Sequence, residues 1–354
     1  MTEPLRVLVV DDSTFMRGAV ARLLNADPHF EVCGQAKDGL EAVKLASELE
    51  PDVITMDFNM PGLNGAEATR RILARRPVPI VMLSAHTKAG AAETVDALAA
   101  GAVDFVEKPD GEVSANLTDV RDDLVRKLLT AAGAKVLGTA PAATGTAADE
   151  EPPVSRRPLR SAARNMPPGL RVVVIASSTG GPAALVRVLP TLRLADNAAL
   201  LVVQHMPAGF TAALADQLSE RAGYRVREAE EGDALEPGLA LVAPGGKHLV
   251  VERSGRVSLS NEPAVHGVKP AADVTLKSAA QAYGARTVGV VLTGMGRDGA
   301  LGLAAVKAAG GRTLAQDRGS STVYGMPRAA VEMGVVDEVV TLDHVGSVVS
   351  KLVS

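Results

Sequence analysis

Residues 171–185 read RVVVIASSTGGPAAL, and this stretch decides the fold of the second half of the chain. Five apolar residues stop at two serines, a threonine and two glycines, and Pro182 then opens an alanine-rich segment. The apolar run predicts a buried strand, the glycines predict a sharp turn, and proline suits the first turn of a helix. A serine exposed at such a turn, beside a helix amino end, suits a nucleophile, a phosphate site or a plain helix cap.

Strands and helices alternate in the same way over the whole chain. The apolar runs of the first half are LRVLVV, EVCGQA, DVITM, PIVMLS and AVDFVE, and those of the second half are RVVVIAS, ALLVVQ, LALVAP, TVGVVLT and RTLAQ. Helical patterns separate these runs, which predicts a parallel sheet covered on both faces in each half. The segment HLVVERSGRVSLS differs, because two strands joined by Ser254 and Gly255 predict an antiparallel hairpin.

A change of composition divides the chain into two domains. Residues 131–170 are rich in Ala, Pro, Gly and Thr and carry no sustained hydrophobic period, which predicts an exposed linker. We predict domains at residues 1–126 and 169–354, joined by a flexible linker at residues 127–168. A length of 354 residues agrees with two domains.

Composition also excludes several classes of function. The net charge of −4 carries no signature of nucleic-acid binding, and no apolar run is long enough to insert into a membrane. The single cysteine, Cys33, cannot form an internal disulfide, and the amino terminus lacks the pattern of a signal peptide. We therefore expect a cytoplasmic protein.

Acidic residues gather at predicted strand ends in the first half. Asp11 and Asp12 follow the first strand, Asp57 ends the third, Ser84 ends the fourth and Lys108 follows the fifth. Because parallel strands end at one edge of the sheet, these side chains should converge there. Three carboxylates would repel one another unless a divalent cation such as Mg²⁺ lay between them, and a lysine and a hydroxyl suit a phosphoryl group. The alternative is that they are ordinary polar loop residues.

Three reactive residue types follow predicted strands in the second half. Ser178 lies in the turn quoted above, His205 follows ALLVVQ, and Asp298 comes shortly after TVGVVLT. A serine nucleophile needs a base, and the base needs a carboxylate to orient it. The order Ser, His, Asp and the lack of a G-x-S-x-G elbow disfavour the common α/β-hydrolase fold.

A dinucleotide site is the alternative for the second half. Gly294, Gly296 and Gly299 form a G-x-G-x-x-G after a predicted strand, and Asp317 follows about twenty residues on. Against this interpretation, Asp298 would bring negative charge toward a pyrophosphate. The motif also comes late, whereas the fingerprint normally opens its βαβ unit.

Residues 5–124 resemble a response-regulator receiver domain. The resemblance rests on the acidic pair Asp11 and Asp12 and on the stretches MDFNMPGLNG and EKP. The resemblance implies a (βα)5 flavodoxin-like fold in which Asp57 takes a phosphoryl group from a histidine kinase. It implies that Mg²⁺ is held by Asp11, Asp12 and Asp57 together with the backbone carbonyl of Asn59. The implied receiver switch residues are Ser84, Phe105 and Lys108.

Residues from about 170 to 354 resemble the catalytic domain of the CheB family of chemotaxis protein-glutamate methylesterases. The matching stretches are ASSTGGPAAL, VVQHMPAGFT, LTGMGRDGA and AQDRGSSTVYGMPRAA. The resemblance implies a doubly wound, mainly parallel α/β domain with Ser178 as nucleophile, His205 as general base and Asp298 orienting it. The backbone N–H of Met295 would lie in the oxyanion hole.

The substrate implied by this resemblance is the glutamate γ-methyl ester of a methyl-accepting chemoreceptor. The reaction would pass through an acyl-enzyme without a cofactor, would be activated by phosphorylation, and would extend to deamidation of receptor glutamines. Two local departures stand out: Ala176 and Ser177 replace the usual Gly-Ala, and KPAAD at residues 269–273 lacks a serine often found after the proline. Two serines are therefore adjacent, and the STGG register favours Ser178.

Overall fold

The computed structural model describes residues 3–84, 87–108, 117–136, 169–194 and 197–354. The N-terminal domain is a five-stranded parallel sheet of order β2-β1-β3-β4-β5, as the flavodoxin-like prediction requires. Its strands are β1 (Leu5–Val10), β2 (Phe30–Ala36), β3 (Val53–Asp57), β4 (Ile80–Ser84) and β5 (Asp104–Glu107). Its helices are α1 (Thr14–Asn25), α2 (Gly39–Leu49), α3 (Gly65–Arg75), α4 (Lys88–Ala99) and α5 (Leu117–Ala132).

Apolar side chains on both faces of the strands hold this sheet between helices. In β1, Val7 and Val9 join one buried cluster, and Leu8 and Val10 join another on the opposite face. Alternate residues of a strand point to opposite faces, so a continuous apolar run packs against helices on both sides. The helices begin at side-chain caps: Ser13, Asp38 and Asn64 each accept a hydrogen bond from the backbone N–H three residues on.

Helix α5 extends further than the predicted domain boundary. It ends at Ala132, so the prediction that residues 127–132 belong to the linker is wrong. Leu124, Leu128 and Ala131 are buried at helical spacing. Alanine is a strong helix former, so an alanine-rich stretch is compatible with a helix as well as with a linker. Most of the predicted linker, residues 137–168, lies outside the described residues.

The C-terminal domain is a seven-stranded sheet of order β14-β13-β12-β6-β7-β9-β8, with every pairing parallel, beside a separate antiparallel hairpin, β10-β11. The strands are β6 (Arg171–Ser177), β7 (Ala198–Gln204), β8 (Arg225–Glu228), β9 (Leu239–Val242), β10 (His248–Val251), β11 (Val257–Ser260), β12 (Thr287–Val291), β13 (Arg312–Gln316) and β14 (Glu338–Val340). The helices are α6 (Gly181–Val188), α7 (Phe210–Ser219), α8 (Ala272–Tyr283), α9 (Ala300–Ala308), α10 (Met326–Glu332) and α11 (Leu342–Val353). Two 3-10 turns cover Leu189–Thr191 and Gly284–Arg286.

The doubly wound fold and its hairpin are confirmed, and the sequence missed only the edge strands β8 and β14. These have four and three residues and carry charged side chains, so they lack the apolar runs that reveal the inner strands. None of the helices in the described part of the chain is both long and apolar enough to cross a bilayer.

The central strands β12, β6 and β7 bring the predicted site residues to one edge. Ser177 pairs with Gln204 across β6 and β7, so Ser178 and His205 follow at equivalent positions. On the other side of β6, Ala176 pairs with Val291, and the loop that carries Asp298 comes next.

The N-terminal domain packs against this edge through β5, α4 and α5. The rings of Phe105 and Phe210 are stacked with centroids 4.5 Å apart, and both side chains belong to an apolar cluster that includes residues of the two domains. Gln217 Nε2 on α7 donates to Asp96 Oδ1 on α4 at 2.9 Å. The carboxyl edge of the second sheet therefore lies next to the first domain.

Candidate active site and phosphorylation site

The two adjacent serines at the end of β6 have different surroundings. Ser177 is fully buried, and its hydroxyl donates to Gln204 Oε1 at 2.7 Å. Ser178 is partly exposed, and its backbone N–H donates to the Thr293 carbonyl at 3.0 Å. Ser178 is therefore the serine that a substrate can reach.

Close packing requires the two glycines that follow. Gly180 adopts a φ of +76°, and a Cβ there would lie 2.6 Å from the Cβ of Thr322. A Cβ on Gly181 would lie 2.0 Å from Gln204 Oε1. Any side chain at either position would displace the turn, and Pro182 then occupies the first turn of α6.

His205 and Asp298 form a buried pair. His205 Nε2 lies 2.8 Å from Asp298 Oδ2, and the two side chains are 9% and 2% exposed. The Asp298 carboxylate also accepts hydrogen bonds from the N–H groups of Ala272, at 2.6 Å, and Asp273, at 2.9 Å, at the start of α8. Burial opposes ionisation, but the His205 hydrogen bond and these N–H donors hold the pKa of Asp298 below its usual range. The carboxylate is therefore held ionised and fixed against the imidazole.

The contact with Asp298 uses one of the two ring nitrogens of His205. With Nε2 donating to Asp298, Nδ1 is the nitrogen that can accept a proton. No hydrogen bond joins Ser178 Oγ to His205 among the residues that the structure describes. Their backbones are adjacent, since the His205 N–H donates to the Ser177 carbonyl at 3.1 Å. Catalytic hydrogen bonds often tighten only when substrate is bound.

Two backbone N–H groups beside Ser178 are available to an oxyanion. In the described part of the chain, neither the Met295 N–H, predicted for this role, nor the Thr179 N–H has an acceptor. A Cβ on Gly294 would lie 2.8 Å from Ser178 Cβ, so the Met295 loop packs directly on the serine. Thr179 was missed by the sequence analysis, although the residue after a nucleophile at a strand-to-helix turn commonly supplies such a donor.

A second histidine–aspartate pair supports the first. His266 Nε2 lies 3.0 Å from Asp273 Oδ2, and Asp273 Oδ1 accepts the N–H groups of Gly299 and Gly302 at 3.0 and 2.6 Å. Asp273 thereby ties the loop after Asp298 to α8. In the sequence, KPAAD stands out only as a departure from the family pattern, because a contact across 26 residues of chain leaves no local signal.

The glycine loop is poorly suited to a dinucleotide. The Gly299 N–H, which would face a pyrophosphate, instead donates to the carboxylates of both Asp298 and Asp273 at 3.0 Å. Two buried carboxylates at this loop would repel a phosphate group.

The predicted acidic cluster of the first domain is assembled at the end of its sheet. Carboxylate oxygens of Asp11, Asp12 and Asp57 all lie within 4.8 Å of one another. Lys108 Nζ lies 2.8 Å from Asp11 Oδ2 and 2.9 Å from Asp57 Oδ1. Although burial opposes its charge, the attraction of Asp57 and Asp11 raises the pKa of Lys108, and burial raises the pKa of Asp57.

These residues fit a magnesium ion. Three carboxylates within reach of one cation form the hard oxygen donor set that Mg²⁺ prefers, and the backbone carbonyl of Asn59 would complete it. The Asn59 side chain is directed elsewhere, donating to Glu93 Oε2 at 3.0 Å. Bound Mg²⁺ would neutralise charge around a phosphoryl group on Asp57.

The predicted switch residues lie beside this cluster. Ser84 is buried at the end of β4, where its hydroxyl accepts a hydrogen bond from Thr94 Oγ1 at 2.6 Å. Phe105 is only 3% exposed and faces the C-terminal domain, while Lys108 follows it at the end of β5. The residues that would sense a phosphoryl group are therefore continuous with the interdomain contact.

Comparison with known proteins assigns each half of the chain to a family. The family model "Response regulator receiver domain" matches residues 7–116, and "CheB methylesterase" matches residues 173–349. A solved CheB methylesterase catalytic domain from Thermotoga maritima is 40% identical, with a TM-score of 0.50, and covers 52% of this chain and 98% of its own.

Relatives also match over nearly the full length. A protein of Symbiobacterium thermophilum named protein-glutamate methylesterase/protein-glutamine glutaminase is 46% identical over 99% of this chain and 97% of its own. A protein of Pyrococcus horikoshii with the same name is 43% identical over 100% of this chain and 95% of its own. The chain is therefore an enzyme of the CheB methylesterase family, with a response-regulator receiver domain and the esterase domain in one polypeptide.

Proposed function

We propose that this chain hydrolyses glutamate γ-methyl esters on methyl-accepting chemoreceptors, and that phosphorylation of Asp57 activates it. The observation that carries the proposal is the accessible Ser178 at the sheet edge it shares with the buried His205–Asp298 pair. The names of the full-length relatives support the same substrate class.

The reaction follows from the roles of these groups. His205 Nδ1 takes the proton of Ser178, whose Oγ attacks the ester carbonyl, while Asp298 stabilises the imidazolium. The N–H groups of Met295 and Thr179 donate to the oxyanion, and such a donor typically contributes roughly 3–4 kcal/mol. His205 then protonates the leaving methoxide, methanol departs, and water hydrolyses the acyl-enzyme to release glutamate.

The same machinery suits glutamine deamidation. A glutamine side chain presents a carbonyl in the same position, and His205 would protonate the departing amide nitrogen, which leaves as ammonia where the ester releases methanol. The acyl-enzyme is then identical, so one site performs both reactions. The glutaminase part of the relatives' name supports this extension.

A chemotaxis histidine kinase is the proposed phosphodonor. Asp57 is the acceptor carboxylate, and Lys108 would contact the new phosphoryl oxygens because its Nζ already lies 2.9 Å from Asp57 Oδ1. Bound Mg²⁺ would offset the added negative charge. With these partners, the reaction is proposed to occur in the cytoplasm, without nucleic acid and without insertion into a membrane.

The unphosphorylated receiver is proposed to inhibit the esterase. On α5, Arg126 Nη1 and Thr130 Oγ1 lie 3.5 and 3.2 Å from the Met295 sulfur. These contacts put α5 against the Met295 loop beside Ser178, so a receiver in this position would block the approach of a large protein substrate. Phosphorylation would bias the receiver toward a surface that no longer fits here.

The direct test is methanol release from methylated chemoreceptor membranes by the purified full-length protein. We expect release that depends on Ser178 and rises when the protein is phosphorylated. Saturable NAD binding without methanol release would instead support a receiver-linked dinucleotide-binding domain.

A further inference from the structure

The receiver is hydrogen-bonded to the turn that carries Ser178. Thr179 Oγ1 donates to Asp104 Oδ2 at 2.5 Å, and the Gly180 N–H donates to the Val103 carbonyl at 2.9 Å. Thr179 is 7% exposed, and the Asp104 side chain is 15% exposed. Thr179 and Gly180, directly after Ser178, are thus hydrogen-bonded to a receiver segment that begins with Val103 and Asp104.

That receiver segment leads to the phosphorylation site. Asp104 Oδ1 accepts the Phe105 N–H at 2.8 Å and lies 3.5 Å from Lys127 Nζ. The same ammonium group donates to the Phe105 carbonyl at 2.5 Å. Strand β5 contains four residues, and Lys108, which contacts Asp57, follows it directly. A single short strand therefore joins the phosphoryl acceptor to the nucleophile turn.

We infer that Asp104 is a regulatory positioning residue, which slows chemistry at Ser178 through Thr179 in addition to the blocking of access. This inference rests on the proposed function. The Asp104 carboxylate accepts a hydrogen bond from the side chain of Thr179, whose N–H is proposed above to donate to the oxyanion. Lys127 offsets part of its charge, but the remaining negative potential opposes the charge that forms in the transition state. Movement of Phe105 on phosphorylation would withdraw Asp104 from the turn.

A small neutral reagent separates this effect from blocked access. Phenylmethanesulfonyl fluoride forms an Oγ–S bond with a serine, fluoride leaves from sulfur, and His205 takes the hydroxyl proton. The rate of Ser178 sulfonylation is measured by mass spectrometry on unphosphorylated full-length protein. We expect Asp104→Ala to react roughly five- to tenfold faster than wild type, and Asp104→Asn, which loses only the charge, also to be faster.

Asp96→Ala is the matched control. It removes another interdomain hydrogen bond, from Gln217 at 2.9 Å, at a place away from the turn. We expect this variant to react at the wild-type rate. Equal acceleration by Asp96→Ala and Asp104→Ala, or acceleration by neither, would overturn the inference.

Two further measurements distinguish a failure of this inference from a misfolded receiver and from a failure of the proposed function. Uptake of a phosphoryl group at Asp57 from acetyl phosphate reports that the receiver of each Asp104 variant is folded. Because sulfonylation needs no chemoreceptor, a wild-type protein that reacts at Ser178 but releases no methanol contradicts the proposed substrate. The comparison of variants still decides the role of Asp104 in that case.

Discussion

The hydroxyl of Ser177 donates to Gln204 Oε1 at 2.7 Å, while Nε2 of the same glutamine donates to the Ser178 carbonyl at 3.0 Å. Ser177 thus anchors the glutamine that holds the backbone of Ser178. The first serine therefore supports the turn, and the second is the one proposed to react.

Substitution of each serine should separate these roles. We expect Ser178→Ala to abolish methanol release from methylated chemoreceptors. Ser177→Ala should keep most of the activity but lower the free energy of unfolding by about 1 kcal/mol, because Gln204 Oε1 loses its donor. Methanol release and urea unfolding of both variants check this. Loss of activity in Ser177→Ala alone would reassign the nucleophile.

The carboxylate of Asp298 should matter most for the rate of hydrolysis. In Asp298→Asn, the amide cannot stabilise an imidazolium, so we expect the rate of methanol release to fall by roughly 10³- to 10⁴-fold. Single-turnover measurements with saturating substrate separate this loss from weaker binding. A rate within tenfold of wild type would exclude Asp298 from the proposed role.

The same residue predicts a dependence of stability on pH. The folded-state pKa of Asp298 lies below its ordinary value of 3.8, so its contribution is fully present above pH 3.8 and is lost as the pH falls through the lower folded-state pKa. Asp298→Asn should cost about 1–3 kcal/mol of unfolding free energy near pH 6. Urea unfolding at several pH values should give a gap between the two proteins that narrows below pH 3.8. A gap independent of pH contradicts this assignment.

Phosphorylation should require Asp57 and a divalent cation. We expect labelling of the wild type by acetyl phosphate with Mg²⁺, no labelling of Asp57→Asn, and loss of labelling when EDTA removes the metal, because three close carboxylates need a counter-charge. Phosphate-affinity electrophoresis measures the outcome. Label retained in Asp57→Asn would place the phosphoryl group elsewhere, and no label in the wild type would indicate a receiver used only for docking.

Removal of the receiver should release the esterase. A fragment beginning at Pro168 should hydrolyse methylated chemoreceptors faster than the unphosphorylated full-length protein, because α5 no longer lies against the Met295 loop beside Ser178. Phosphorylation should raise the activity of the full-length protein, and Asp57→Asn should remove that response. Equal rates for fragment and full-length protein, with no effect of phosphorylation, would mean that the receiver only localises the enzyme.

The dinucleotide alternative gives an opposite result in a binding experiment. We expect no saturable heat of NAD binding by isothermal titration calorimetry, because Asp298 and Asp273 occupy the N–H of Gly299. Binding that is lost on substitution of Gly296 would support that alternative.

The sequence predicted the positions of site residues best where a reactive side chain directly follows an apolar strand. The receiver acids and the residues Ser178, His205 and Asp298 could be predicted because parallel strands end at a common edge. The hydrogen-bonded pairs Thr179–Asp104 and His266–Asp273 could not be predicted. The first joins two domains across 75 residues of chain, and the second depends on how a loop folds over α8. The end of α5 was missed because alanine suits both a helix and a linker.

The stacked rings of Phe105 and Phe210 bear on how long an activated molecule stays open. Both rings are almost fully buried in the closed arrangement, at 3% and 2% exposed. Separation of the domains wets this apolar contact, and a fully exposed aromatic side chain costs about 1.5–3 kcal/mol. If phosphorylation opens the enzyme as proposed, this cost would favour the return to the closed arrangement. Loss of the phosphoryl group would then let hydrophobic re-association of the two domains close the enzyme again.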